Sequence, residues 1–204
     1  AMGPDGAPLR MRDVVRIGRY PAAMWDRWES RAEATNRTEW LNQQLAVPGW
    51  RIEEADRRRL DGPDSALALR FDWILDRPGA HAADPREWVL PAVWERFFLR
   101  VAPVADRRTP VHVAGPIEFE GRTRWDMPAS WRWLNAAEFE ARGTGSPLEW
   151  SVRPEKAGGG GGQIVQRVRL AAGRHPAAAY DSLYRSVADL IARTETAWIF
   201  GRGE

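Results

Sequence analysis

The sequence predicts an α+β chain: an antiparallel β-sheet or sandwich closed by a C-terminal amphipathic helix, with a smaller α+β unit ahead of it. Three observations predict this. Between Ile117 and Trp133 the residues Ile117, Phe119, Thr123, Trp125, Met127, Trp131 and Trp133 take odd positions, while Glu118, Glu120, Arg122, Arg124, Asp126 and Arg132 take even ones. A period of two puts one set on each face of an extended strand. The same alternation recurs in several shorter segments separated by glycine and proline. From Tyr180 onward the apolar spacing changes to three and four, through Leu183, Tyr184, Val187, Leu190, Ile191 and Thr194, which is the period of a helix.

In chain order, Val14, Val15 and Ile17 offer a strand ending at Tyr20, and Pro21 suits the first turn of a helix carrying Met24, Trp25 and Trp28. Asn36 and Glu39 have the spacing of a capping box ahead of Trp40, Leu41 and Leu45, and Pro48-Gly49 stops that segment. Trp50–Asp56 reads as a strand, followed by Arg57-Arg58-Arg59 at a solvated strand edge or loop. After the turn at Asp61-Gly62-Pro63-Asp64, the residues Leu67, Leu69, Phe71 and Trp73 alternate with polar or small ones. Trp88-Val89-Leu90 is a short strand, and Trp94, Phe97 and Phe98 sit at helical spacing within a turn over 92–100. The polar, proline-flanked stretch 103–110 is the expected boundary between a unit at 9–105 and one at 106–204.

In the second unit Val111 and Val113 open a strand, and Pro128 interrupts the long alternating stretch because it lacks a backbone donor. Leu148, Trp150 and Val152 mark the next strand. Five consecutive glycines end at Gly162, but no lysine and hydroxyl residue follow them, so a hairpin tip is expected there and not a phosphate loop. Ile164, Gln166, Val168 and Leu170 share one strand face, with Val165 out of phase. Pro176 opens the C-terminal helix, and Trp198-Ile199-Phe200 form a last strand. Residues 1–8 read as an added residue and a linker, so the chain is expected to be a piece of a longer protein.

Composition excludes several chemistries. The chain of 204 residues contains no cysteine, so disulfides, thiol catalysis and cysteine-ligated zinc are ruled out. Lys156 is the single lysine among 30 basic residues, and the arginines interleave with 28 acids for a net charge of +2. That dispersal argues for a salt-bridged surface and against nucleic acid as a partner. No apolar run reaches the length of a membrane span. His81, His112 and His175 stand far apart and lack a second ligand at metal spacing, no G-x-S-x-G elbow occurs, and no cofactor or metal is expected. Among acids that a two-carboxylate mechanism would use, Asp13, Asp72, Asp76 and Glu118 are present and none is singled out. Of the 12 tryptophans, Trp25, Trp28, Trp40, Trp73, Trp125, Trp133 and Trp150 fall in phase with apolar neighbours and are assigned to the core. Trp88, Trp94 and Trp131 are the least constrained and are the expected binding residues.

Four features in order resemble the C-terminal region of bacterial transglutaminase-like proteins: Asp106-Arg107-Arg108-Thr109-Pro110-Val111; the turn Met127-Pro128-Ala129-Ser130-Trp131, with Ser130 where the family has glycine; the strand end Arg167-Val168-Arg169-Leu170; and the helix signature around Tyr180, Leu183, Tyr184 and Val187. The likeness extends over about residues 13–200. It implies an exported, periplasmic or envelope-associated protein in which a catalytic core lies upstream. The family's catalytic cysteine, histidine and aspartate have no counterpart here. The expected function is therefore that of a non-catalytic accessory region, partnered by a transglutaminase-like core in the parent chain or by another protein. A stand-alone module binding a glycan or cell-wall polymer through exposed tryptophans is the alternative.

Overall fold

In the computed structural model of the chain, the described residues are 10–30, 37–45, 49–60, 66–75, 86–88, 102, 107–126, 131–156, 161–194 and 198–202. The chain is α+β, as the alternation predicts. Seven strands form one antiparallel sheet in the order β2-β3-β1-β6-β10-β9-β8. They are β1 (Arg10–Ile17), β2 (Trp50–Arg59), β3 (Leu67–Leu75), β6 (Ile117–Trp125), β8 (Ala141–Gly143), β9 (Leu148–Lys156) and β10 (Gly162–Leu170). Strands β4 (Arg86–Trp88), β12 (Trp198–Arg202) and β7 (Trp131–Trp133) make a three-stranded sheet, and β5 (Val111–Val113) pairs with β11 (Gly173–His175). The helices are α1 (Arg19–Glu29), α2 (Arg37–Gln44) and α3 (Tyr180–Thr194).

The large sheet corrects the expected division at 103–110. Strand β1 lies between β3 and β6, pairing Val15 with both Leu69 and Gly121. Segments 9–105 and 106–204 thus share one sheet, and their buried residues form one continuous core cluster. Proline punctuation marked a connection along the chain, whereas sheet neighbours are chosen by long-range pairing.

Each central strand buries one phase. Met11, Asp13, Val15 and Ile17 of β1 are buried, as are Leu67, Leu69, Phe71, Trp73 and Leu75 of β3, and Ile117, Phe119, Thr123 and Trp125 of β6. Two helices cover this inner face. Helix α1 buries Ala22 and Trp25, with the Trp25 ring 6.1 Å from Phe71 in an edge-on arrangement. Helix α3 packs Tyr180, Leu183, Val187 and Leu190 over β8 and β9, where Trp150 Nε1 donates to Ser186 Oγ at 3.1 Å. The helix begins one turn later than Pro176 suggests, because Ala177–Ala179 form a 3₁₀ turn first. An aromatic cluster of Trp125, Trp133, Phe139, Trp198 and Phe200 joins the three-stranded sheet to this core. Gly162 lies under Trp125, where a Cβ would approach Cζ2 to 2.3 Å, so only glycine fits beneath that ring.

The edges are handled differently. Between Ile52 and Glu54 of β2 the register shifts by one residue. That bulge turns Ala55, Arg57 and Arg59 towards α1 and leaves Arg58 on the other face. The three arginines, expected at a solvated strand edge or loop, are the end of an edge strand, with two of the three engaged by acids of α1. Asn42 of α2 accepts from Ile52 N at 2.6 Å and donates to Ile52 O at 3.0 Å, imitating a neighbouring strand. Pro154 sits in β9 beyond the three residues that pair with β8, where no ladder donor is needed. The segment 92–100, with its expected helical turn, lies outside the described residues.

Candidate functional site

The face of the large sheet opposite the helices is charged and exposed. Alternation sends the even residues of β1, β3 and β6 outwards, and strand register assembles them into rows across the sheet. One row reads Arg58, Ala68, Arg16, Glu120, Arg167, Ser151, Arg142, from β2 through β3, β1, β6, β10 and β9 to β8. It carries four arginines against one acid. The next reads Asp56, Arg70, Val14, Arg122, Val165, Arg153, with three arginines against one acid. A third, Glu54, Asp72, Arg12, Arg124, Gln163, Glu155, leans acidic. The basic excess is therefore gathered into two adjacent rows and not spread evenly.

Many outer-face arginines are held by acids of the same or a neighbouring strand. Arg12 Nε meets Asp72 at 2.6 Å, Arg70 meets Glu54 at 2.7 Å, Arg122 meets Glu120 at 3.1 Å, and Arg167 meets the same Glu120 at 3.3 Å. The hydrogen bond and charge of Asp72 raise the pKa of Arg12. Partial burial pushes the Glu120 carboxyl up, yet Arg122 and Arg167 together outweigh it and hold the group below the ordinary range. Arg153 does the same for the half-buried Glu155. Arg16, Arg58 and Arg142 are exposed and make no such pair among the described residues. Arg16 and Arg142 border a groove of about 660 Å3 lined also by Glu118, Glu120, Glu149 and Arg167 among others.

Val165, out of phase in the sequence, lies on this outer face and is still only 4% exposed. Its register partners are Arg122 and Arg153, whose long aliphatic stems suit them to cover an apolar neighbour while the guanidinium stays wet.

Two charged groups lie on the inner side. Asp13 of β1 is 3% exposed, with Thr123 Oγ1 donating to one carboxylate oxygen and Trp73 Nε1 donating to the other at 3.0 Å. Burial pushes this carboxyl up to about 7, against the pull of the two hydrogen bonds. Glu29 of α1 is also buried and binds Arg37 and, at 2.7 Å, Arg57, while Asp26 holds Arg57 at 3.2 Å and also pairs with Arg59. This cluster ties α1, α2 and β2 together.

The sequence-predicted site residues divide as follows. Trp88 lies in β4 opposite Trp198, and Trp131 lies in β7 opposite Arg202, so strand β12 brings their strands into one small sheet. The side chains of Trp88 and Trp131, and the whole of Trp94, lie outside the described residues. The seven tryptophans assigned to the core are buried or half-buried, none of them exposed. Asp72 and Glu118 are outer-face ion-pair partners, His112 and His175 sit in the β5–β11 pair, and Asp76 and His81 lie outside the described residues. Among the described residues no group of three or more His, Asp or Glu is arranged to hold a metal ion. No helix of the described residues is long and apolar enough to cross a membrane. The arginine row was missed by sequence reasoning, since its members come from seven separate strands; the period-two arginines of β6 and β10 were its one visible signal.

No protein-family model matches the chain, and no curated protein or solved structure matches it either.

Proposed function

We propose that this chain is a non-catalytic accessory region that presents the outer face of its large sheet to a protein partner, in the manner expected beside a transglutaminase-like core of a periplasmic or envelope protein. The observation that carries the reading is the exposed, ion-paired outer face itself. One side of a seven-stranded sheet is sealed by α1 and α3, while Arg10, Arg12, Arg124, Arg153, Arg167 and Arg169 on the other keep more than half of their side-chain surface in water. Mixed charge of both signs, fixed in rows by strand pairing, gives an interface register and partner choice more than raw affinity. The family placement rests on the four sequence features alone.

A photo-crosslinker placed at Val14, exposed on the outer face, tests this in cells that express the full-length parent protein. The reading expects protein adducts at Val14 and none at Ala188 on the exposed side of α3. Equal adducts at both positions, or amidase, protease or acyl-transfer turnover by the isolated chain, contradict it.

The glycan-module reading keeps one supporting observation, the three-stranded sheet that gathers the strands of Trp88 and Trp131 around β12. It requires quenching of tryptophan fluorescence on titration with a cell-wall polysaccharide, and that quench must vanish in a Trp88→Ala/Trp131→Ala double variant.

A further inference from the structure

We infer that the row running through Arg58, Arg16, Arg167 and Arg142 is a docking strip for an acidic segment of a protein partner. The inference rests on the partner-binding reading above and adds the chemistry of what is bound. Across the sheet, six strand intervals of about 4.8 Å make the strip roughly 29 Å long. It holds four arginines and a single acid, Glu120, which is already shared between Arg122 and Arg167.

Three of the four cations are exposed and have no acidic partner among the described residues, in contrast to the neighbouring rows, where Arg12, Arg70, Arg122 and Arg153 each hold a carboxylate. A guanidinium presents a planar fork of donors that matches a carboxylate in two-point contact. Free forks at the two ends and near the middle of one strip therefore set out a spaced series of carboxylate positions.

The surroundings choose between polyanions. The described outer-face positions of the seven strands carry no aromatic side chain, so the stacking that single-stranded nucleic acid needs has no platform. Glu118 and Glu149 border the groove near Arg142 and repel a polymer that is charged at every repeat. A peptide can set acidic residues against the arginines and neutral or basic ones against those two glutamates. The strip fits a peptide of mixed sequence with acidic residues at intervals.

Fluorescence anisotropy of the whole chain with a labelled sixteen-residue Glu/Ser/Gly peptide tests this. The expected result is saturable binding that weakens steeply with salt and falls about tenfold or more in the Arg16→Glu/Arg142→Glu variant. An Arg132→Glu/Arg174→Glu variant, with the same change in net charge but off this face, should keep its affinity. Folding of each variant is checked by its urea midpoint, and Arg16→Gln/Arg142→Gln serves as a milder pair if charge reversal unfolds the chain. Absence of binding at low salt, or equal loss in both charge-reversed variants, overturns the docking strip. Tighter binding of a polyuronate or a single-stranded oligonucleotide than of the peptide overturns the choice of partner. Either failure leaves the crosslinking result at Val14 to stand or fall separately.

Discussion

Trp73 Nε1 donates a 3.0 Å hydrogen bond to a carboxylate oxygen of Asp13, a residue 3% exposed in the middle of a seven-stranded sheet. Burial raises the Asp13 carboxyl to about 7 in the fold, from the ordinary value of about 3.8 in the unfolded chain. Between those values the folded state holds a proton that the unfolded state has released. Stability from this group is fully present below about pH 4 and is lost as pH rises through about 7. The decline is at most roughly 1.4 kcal/mol per pH unit. Urea midpoints should therefore be higher at pH 5 than at pH 8, and Asp13→Asn should flatten that difference. Equal slopes in the two proteins would contradict the assignment.

Glu29 is the buried acid of the cluster joining α1 to β2, with its partners Arg37 and Arg57 only partly exposed. Glu29→Ala removes the acid shared by two guanidinium groups and leaves only Asp26 beside Arg57 among the described residues. A loss of about 2 kcal/mol or more is expected in urea unfolding. The exposed pair Arg185–Asp181 on α3 serves as contrast, and Asp181→Ala should cost well under about 1 kcal/mol.

Asn42 satisfies both backbone groups of Ile52 on the open side of β2. Asn42→Ala uncovers them, with an expected cost of about 1–2 kcal/mol. An uncovered edge strand also invites pairing between copies of the chain. Static light scattering should show concentration-dependent association in the variant and not in the parent chain.

The pairing of β1 with β6 makes segments 9–105 and 106–204 one cooperative structure. The full chain should unfold in a single transition followed identically by fluorescence and far-UV circular dichroism. Each segment expressed alone should give a poorly dispersed NMR spectrum. A well-folded 106–204 fragment would show that the boundary is structural after all.

What was legible in the sequence was periodic. The alternation of Ile117–Trp125, Leu67–Trp73 and Leu148–Val152 announced the strands and their inner faces, and the spacing from Tyr180 announced α3, because one buried face imposes its own period on the residues. The β-bulge at Ile52/Glu54 was not visible, since one inserted residue reverses the phase without changing composition. Nor was the environment of Asp13. Its partners Thr123 and Trp73 lie 110 and 60 positions away, and only the sheet order brings them together. The arginine strip was hidden for the same reason. Each member looks like an ordinary surface residue in its own strand, and the row exists only in the register.

Arginine-specific labelling with phenylglyoxal, read by peptide mass spectrometry with and without the Glu/Ser/Gly peptide, addresses the strip most directly. Arg16, Arg58 and Arg142 should react readily in the free chain and become protected on binding, while Arg132 and Arg174 react equally in both conditions. Unchanged reactivity at Arg16 and Arg142 under saturating peptide would contradict the account.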